Sequence, residues 1–413
     1  MPEFLKLHPP AEALDIYLGA LSALDALPSE QIKTDAALGR VLAADVLAPI
    51  ALPPFNRSTV DGYAVRAADT YGASASLPAY LNLIGEVRMG AAADIALLPH
   101  TAAVVHTGGM IPEGADAVVM LEDTDHARDA EIEIHKPAAV QENILLRGED
   151  VQAGEPILNA GTRLRAQEIG GLMGLGLTSV DVVRRPRVGI LSTGDEVVSP
   201  SEDPGPGQVR DINTFTLASL VSNAGGEPIS YGIIADDYRQ LRTAAEKAHA
   251  ESDLVMITAG SSVSARDITA NVIAELGQPG VLVHGISIRP GKPTILALAE
   301  GVPIIGLPGN PVSALVIAGL FVVPVLRLML GMAPSERTAY IEAHMAVNIA
   351  SLSGREDYQP VRLVKDGKQL LADPIFGRSN LIFTLVRADG LVRIPSEATG
   401  IAAGELVRVT LLT

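Results

Sequence analysis

Between residues 187 and 330, short apolar runs alternate with helical patterns, and this alternation limits the possible folds more than any other feature of the chain. The runs at 188–192, 253–258 and 302–307 are almost wholly apolar. Such runs are strands buried on both faces, as in a parallel sheet covered by helices on each side. The first enters Thr193-Gly194-Asp195-Glu196, the second a loop from Ala259 through Ser262 to Asp267, and the third Pro308-Gly309-Asn310-Pro311-Val312-Ser313. Ligands of open α/β sheets bind beyond the carboxyl ends of the strands. All three polar loops fall on that edge, so the chemistry is expected there.

The remainder does not share this texture. At 413 residues the chain exceeds one ordinary core, and roughly two to four domains are expected. Residues 12–27 carry apolar spacing near 3.6, an amphipathic helix. Residues 51–143 hold short β-patterned runs at 80–87, 102–106, 117–121 and 131–135, the pattern of a β-rich insertion. Helix-and-turn character returns over 144–183, with Arg165 opening a short helix. The expected organisation is therefore a discontinuous linker domain (1–50 and 144–183), a β-rich insertion domain (51–143), an α/β domain (184–333) and an all-β domain (334–413). In the last, 361–371 predicts a hairpin around a two-residue Asp366-Gly367 turn.

Several function classes are disfavoured at once. The net charge of −17 repels nucleic acid and anionic lipid, so neither is expected as a partner, and an anionic substrate needs a local cationic cluster. No cysteine is present, which excludes disulfides, thiolate metal sites and thiol nucleophiles. The eight histidines show no metal-ligand spacing. No basic segment with a following apolar run and cleavage site opens the chain, and a cytoplasmic protein is expected. Residues 312–326 carry no charge, but the run is short of the about 20 residues of a membrane span, so a buried helix is expected.

Three groups of residues can carry chemistry. Asn310 suits a helix N-cap and Pro311 the first helical position, leaving N–H groups and the Ser313 hydroxyl to face an oxyanion. Alone, such a segment is more often a plain helix start. Arg289-Pro290-Gly291-Lys292-Pro293 is a stiffened basic loop suited to phosphate or a molybdate-like anion, or else a solvated turn. Asp195, Glu196, Asp236, Asp237 and Asp267 each follow a strand or lie in the loop beyond it; converging carboxylates beside an anion site suit Mg²⁺ and phosphate, although each alone also suits a helix cap. In the insertion, three tight polar turns stand out: 53–65 with Asp61, Thr107-Gly108-Gly109, and 143–150 with Arg147 and Asp150.

Together these segments resemble the molybdopterin molybdenumtransferase family, the bacterial MoeA proteins and the gephyrin E domain. The matching residues are PPFNRSTVDGYAV (53–65), TG with IPEGADAVV (107–119), RGEDV (147–151), STGDE (192–196), RPGKP (289–293) and GLPGNPVSA (306–314). The resemblance runs from about residue 10 to the end. It implies a multidomain α/β plus β fold: a MogA-like three-layer α/β domain, a discontinuous linker domain, a β-rich insertion domain and a C-terminal β-barrel. It also implies a homodimer, with the site formed where the α/β domain of one subunit meets the insertion domain of the other.

The implied reaction inserts molybdate into adenylylated molybdopterin with Mg²⁺-dependent release of AMP. The adenylyltransferase and the enzymes that receive the cofactor are further partners the resemblance implies. The implied catalytic residues are Asp61, Asp150, Glu196, Asp236, Asp267 and Lys292, with Glu196 and Asp267 at the metal. Substrate would be held by Thr107, Arg147, Thr193, Gly194, Asp195, Ser262, Arg289, Pro308, Asn310, Pro311, Ser313, Arg355 and Ser379. Three segments depart from the family pattern: Ala259 replaces a glycine, Arg289 stands where lysine is commoner, and 377–390 lacks the usual serine-rich run.

Two other readings use the same residues. Adenylylation of molybdopterin would need a glycine-richer loop at 258–264 for close approach to pyrophosphate. A dimeric scaffold without activity would have no need of Asp61, Glu196, Asp267, Lys292 and Ser313.

Overall fold

The computed structural model describes residues 7–259, 263–333 and 339–412, and the side chains of 263–267 lie outside it. Within it the three apolar runs become neighbours in one six-stranded sheet. Its order is Glu227–Ile234, Arg187–Thr193, Leu254–Ala259, Val302–Pro308, Ile295–Ala299 and Pro279–His284. The first four strands are parallel, and the last two each run antiparallel to the strand before them.

Alternate residues of each strand enter opposite cores, as the pleat requires. Val188, Ile190, Leu254, Met256, Ile305 and Leu307 face one core, and Leu191, Val255, Ile257 and Ile304 face the other. Helices Pro10–Leu21, Asn213–Asn223 and Pro311–Met329 cover the first core; Tyr238–Glu251 and Val263–Glu275 cover the second. The three-layer α/β expectation is met.

The N-terminal helix packs on this sheet through Ala13, Tyr17 and Leu21, spaced four apart, and the Tyr17 hydroxyl donates to the Ile304 carbonyl at 3.2 Å. It ends at Leu21 rather than near 27, because Ser22, Ala23, Asp25 and Ala26 are exposed and have no core to enter. The charge-free run lies in Pro311–Met329, 19 residues of mean hydropathy 2.3. By length and composition alone that helix can cross a membrane, yet Ala314, Ile317, Phe321, Val322, Val325 and Leu326 are buried in the α/β core. Pro324 has no N–H to offer the preceding turn, and the chain reaches it through a wider π-helical turn at Ala318–Val322.

Residues 340–411 form a closed five-stranded barrel. Its strands run Glu356–Asp366, Gln369–Pro374, Tyr340–Met345, Leu406–Leu411 and Gly390–Ile394, and the first also pairs with the last. Met345, Val361, Ala372, Val392 and Val409 fill its interior. The expected hairpin is present, but Asp366 pairs with Gln369, so the loop is Gly367-Lys368 and not Asp366-Gly367. Gly367, at φ +58°, supplies the left-handed turn residue. A short strand of the α/β domain, Ile288–Arg289, pairs with Glu356 and Asp357 and ties a loop of that domain to the barrel.

These elements belong to one compact unit, Met1–Gln31, Gly39–Ala43 and Asp181–Thr413; the second comprises Ile32–Leu38 and Ala44–Val180. The second unit contains its own six-stranded sheet, ordered Ala117–Met120, Gly62–Val65, Thr101–Val105, Ala79–Glu86, Glu131–Ile134 and Thr124–Arg128. Tyr63, Val65 and Val119 bury one face, and Ala64, Val105 and Val118 the other. Helix Ala166–Gly174 follows in the same unit, opened by Arg165 as expected.

Candidate functional site

The loop from Ile286 to Pro293, the helix start at Asn310 and the barrel rim enclose a cleft of about 810 Å³. Gly291 makes the loop possible. It sits at φ +119°, and a Cβ there would stand well inside 3 Å of the buried Ile317 side chain. The loop can therefore lie flat against the helix, with Arg289 and Lys292 left at the cleft wall.

Four cations line this cleft: Arg289, Lys292, Arg355 and Arg378, the last of which sequence reasoning missed. Opposed to them is Asp357, 6% exposed, which accepts from Arg355 Nε at 2.9 Å and from an Arg289 guanidinium nitrogen at 3.5 Å. Behind it Glu356 accepts two bonds from Arg393, at 2.6 and 2.8 Å, and one from the Tyr358 hydroxyl at 3.1 Å. Burial pushes the Glu356 carboxyl up, but the Arg393 guanidinium outweighs it and holds the group below the usual range. Among the described residues Lys292 and Arg378 make no ion pair.

Asn310 occupies the expected N-cap position, but its side chain does not cap the helix. Its amide donates to Ser379 Oγ at 3.1 Å, and the Val312 N–H donates to the Ser379 carbonyl at 3.0 Å. The barrel loop is thus fastened to the helix start, with Ser313 buried beside it at 4% exposure. Pro308 and Pro311 flank Asn310 at the same place.

The carboxylates gather at another point of the edge. Asp195, Glu196 and Asp236 follow two neighbouring strands, and the Asp236 N–H donates to Asp195 Oδ1 at 3.0 Å. Burial, then the charges of Asp195 and Glu196, push the Asp236 carboxyl up, with the Thr193 hydroxyl beside it acting in the opposite direction. Thr193 is itself buried, and its hydroxyl donates to the Thr258 carbonyl at 2.9 Å. Gly194 sits at φ +142°, a backbone conformation that favours glycine. Asp237 is a helix cap, accepting from the Gln240 N–H at 2.9 Å.

Mutual repulsion of hard oxygen donors is the condition that Mg²⁺ relieves, and Asp195, Glu196 and Asp236 are donors of that type. No group of three or more side chains with metal-binding geometry occurs among the described residues. Ser262 lies outside the described residues; Asp267 is in helix Val263–Glu275, but its side chain also lies outside them. The ends of Arg187–Thr193 and Val302–Pro308 are two strands apart, roughly 10 Å. A ligand with separated anionic groups can reach from the carboxylates to the cationic cleft.

In the second unit the three tight turns converge. The Ser58 N–H donates to Gly109, the Thr59 N–H to Asn143, the Arg147 N–H to Asn56 Oδ1 and the Asp150 N–H to Leu52, at 2.8–3.0 Å. Asp61 Oδ1 accepts from the Thr107 N–H at 2.8 Å and its hydroxyl at 3.3 Å, and that amide is the main reason its carboxyl lies below the usual range. His106 spans Asp61 (3.7 Å) and Glu86 (2.9 Å), a pairing not foreseen in the sequence. Asp150 lines a separate hollow of about 460 Å³ with Arg57 and Glu149.

Family models match almost the whole chain: "MoeA N-terminal region (domain I and II)" over residues 8–176, "Probable molybdopterin binding domain" over 189–328 and "MoeA C-terminal region (domain IV)" over 342–412. The chain is similar to molybdopterin molybdenumtransferase 2 of Mycobacterium tuberculosis, 33% identical over 383 residues, covering 91% of this chain and 93% of that one. It is 32% identical over 383 residues to the molybdopterin molybdenumtransferase of Haemophilus influenzae, covering 92% and 93%. Among solved structures, a molybdopterin biosynthesis MoeA protein of Pyrococcus horikoshii superposes with a TM-score of 0.85 at 33% identity, covering 98% of this chain and all (100%) of that one.

Proposed function

The chain belongs to the molybdopterin molybdenumtransferase (MoeA) family, and we propose that it takes adenylylated molybdopterin and molybdate as substrates, uses Mg²⁺, releases AMP and acts as a homodimer. It is a transferase of molybdenum cofactor biosynthesis that inserts molybdenum into molybdopterin. The observation that carries the fuller reading is the cleft: four cations face one buried carboxylate in a chain of net charge −17. Such local inversion of charge serves an anionic ligand.

Each group has a definable task. Lys292, Arg289, Arg355 and the Ser313 end of the helix hold the molybdate oxygens near the dithiolene sulfurs. When two thiols displace one oxo ligand, their two protons leave with it as water, so no charge accumulates on molybdenum. Glu196 and Asp236, with Asp195 and Asp267, would hold Mg²⁺, which when bound offsets negative charge on the phosphoanhydride. Asp61, kept ionised by the Thr107 amide, is able to accept a proton or orient water. The chain supplies no thiol, so both sulfurs come from the substrate.

The test is AMP release from adenylylated molybdopterin and Mg²⁺, with and without molybdate, in the wild type and in Lys292→Ala and Asp236→Asn. Molybdate-dependent release that falls by roughly 10²-fold or more in both variants is expected. Release indifferent to molybdate, or undiminished in both variants, would refute the reading.

A further inference from the structure

We propose that Arg378 is an oxyanion-binding residue, the barrel's counterpart to Lys292, which makes the cleft selective for a doubly charged tetrahedral anion. The inference rests on the proposed reading of this cleft as the molybdate site and adds to it a residue outside the motifs that carry the resemblance.

Arg289 and Arg355 both reach toward Asp357, so their positions follow the barrel strand that carries it. Lys292 and Arg378 have no such partner among the described residues. Lys292 comes from the α/β loop and Arg378 from the barrel segment between Pro374 and Phe383, so each wall of the cleft supplies one free cation. A dianion such as molybdate or tungstate has the charge to satisfy both.

An unpaired surface arginine is ordinarily a solvated, mobile group. The backbone of Arg378 is instead held on both sides. Ser379 follows it and is bonded to Asn310 and to the Val312 N–H. Gly377 precedes it and packs so closely on Thr384 that a Cβ would overlap that side chain. The guanidinium is thereby delivered to the cleft near the N-terminus of the 19-residue helix Pro311–Met329, whose dipole favours the same charge. Its planar fork can bond two oxygens of one tetrahedral anion, whereas lysine presents a single point of charge.

Binding of molybdate, and separately tungstate, to the full chain would be measured by calorimetry for the wild type, Arg378→Gln, Arg378→Lys and Arg408→Gln. The last removes a cation from the same barrel, outside the cleft. Loss of charge-assisted bonds predicts that Arg378→Gln weakens binding by roughly 10- to 100-fold. Arg378→Lys should recover part of that loss, and Arg408→Gln should stay within about twofold of wild type. In turnover, the molybdate KM of Arg378→Gln should rise far more than kcat falls, while a loop-holding role alone would lower the melting temperature and leave affinity unchanged. Wild-type binding with an unaltered Arg378→Gln constant, or equal losses in Arg378→Gln and Arg408→Gln, would overturn the assignment and leave the proposed reaction intact. Absence of binding by the wild type would overturn both.

Discussion

Gly291→Ala tests whether the basic loop owes its position to the absence of one methyl group. At φ +119° an L-residue is strained, by about 1–2 kcal/mol. The added Cβ would also meet Ile317 on the helix face, and Ile317 is fully buried in the α/β core and has little freedom to retreat. Overpacking of that kind costs about 1–3 kcal/mol. The sum, about 2–5 kcal/mol, should appear as a lowered urea midpoint. Because the loop carries Arg289 and Lys292, displacement by even an ångström should weaken molybdate binding as well, by roughly tenfold or more. A double-mutant cycle isolates the cause. Ile317→Ala alone should cost about 2–5 kcal/mol as a cavity, but distinctly less in the Gly291→Ala background, where it relieves the clash. A Gly291→Ala midpoint unchanged from wild type, or strict additivity of the two substitutions, would refute the argument.

The acidic groups give three further expectations. Asp236 is raised in the fold by burial and by Asp195 and Glu196, so its protonated form favours folding below the unfolded pKa, and that contribution is lost as pH rises through the folded value. Asp236→Asn should therefore melt no lower than wild type at pH 7.5, with any gain shrinking toward pH 4, while stabilisation by added Mg²⁺ declines; a lower melting temperature at pH 7.5 would contradict this. Glu356 is shifted the other way, so its contribution is present above the unfolded pKa and lost as pH falls through the depressed folded value. Glu356→Gln should cost about 1–3 kcal/mol at pH 7 by urea unfolding, and the deficit should narrow in acid; a pH-independent deficit would count against the pair with Arg393. Asp61 is held ionised by Thr107, so Asp61→Asn should lower the plateau of the pH–rate profile between pH 5 and 8 without moving its midpoints, and a shifted midpoint would assign that titration to Asp61.

The three central strands of the α/β sheet, Arg187–Thr193, Leu254–Ala259 and Val302–Pro308, were legible because nearly every position in them is buried, leaving an apolar run bounded by polar loops. Val255 and Met256 face different cores and are equally apolar, and that doubling is itself the sign of helices on both faces. The N-terminal helix was legible as a helix but not by its partner. Tyr17 bonds to Ile304, 287 residues away, and no local pattern encodes that distance. The hairpin was displaced by one residue because Asp366 and Gly367 both suit a turn. Pairing of Asp366 with Gln369, set by the inward residues Val361 and Ala372, decides the register.

The site was legible in its ionic composition and less so in its internal allegiances. Asp195, Glu196 and Asp236 are brought together by sheet order, and Asp237 is diverted to a helix cap, a difference that adjacent identical residues cannot announce. Arg378 gave no motif; its only local signal is a cation placed between Gly377 and Ser379 in a barrel segment with exposed Phe376 and Phe383. Asp357 explains why a carboxylate belongs in an anion site. Four cations in one cleft repel each other before any ligand arrives, and a long arginine so repelled would turn to solvent. A buried carboxylate between Arg289 and Arg355 holds two of them in place at the cost of one charge. The cleft still has a surplus of positive charge, and that surplus is oriented in advance, so the energy of binding an oxyanion is not spent on gathering the side chains that bind it.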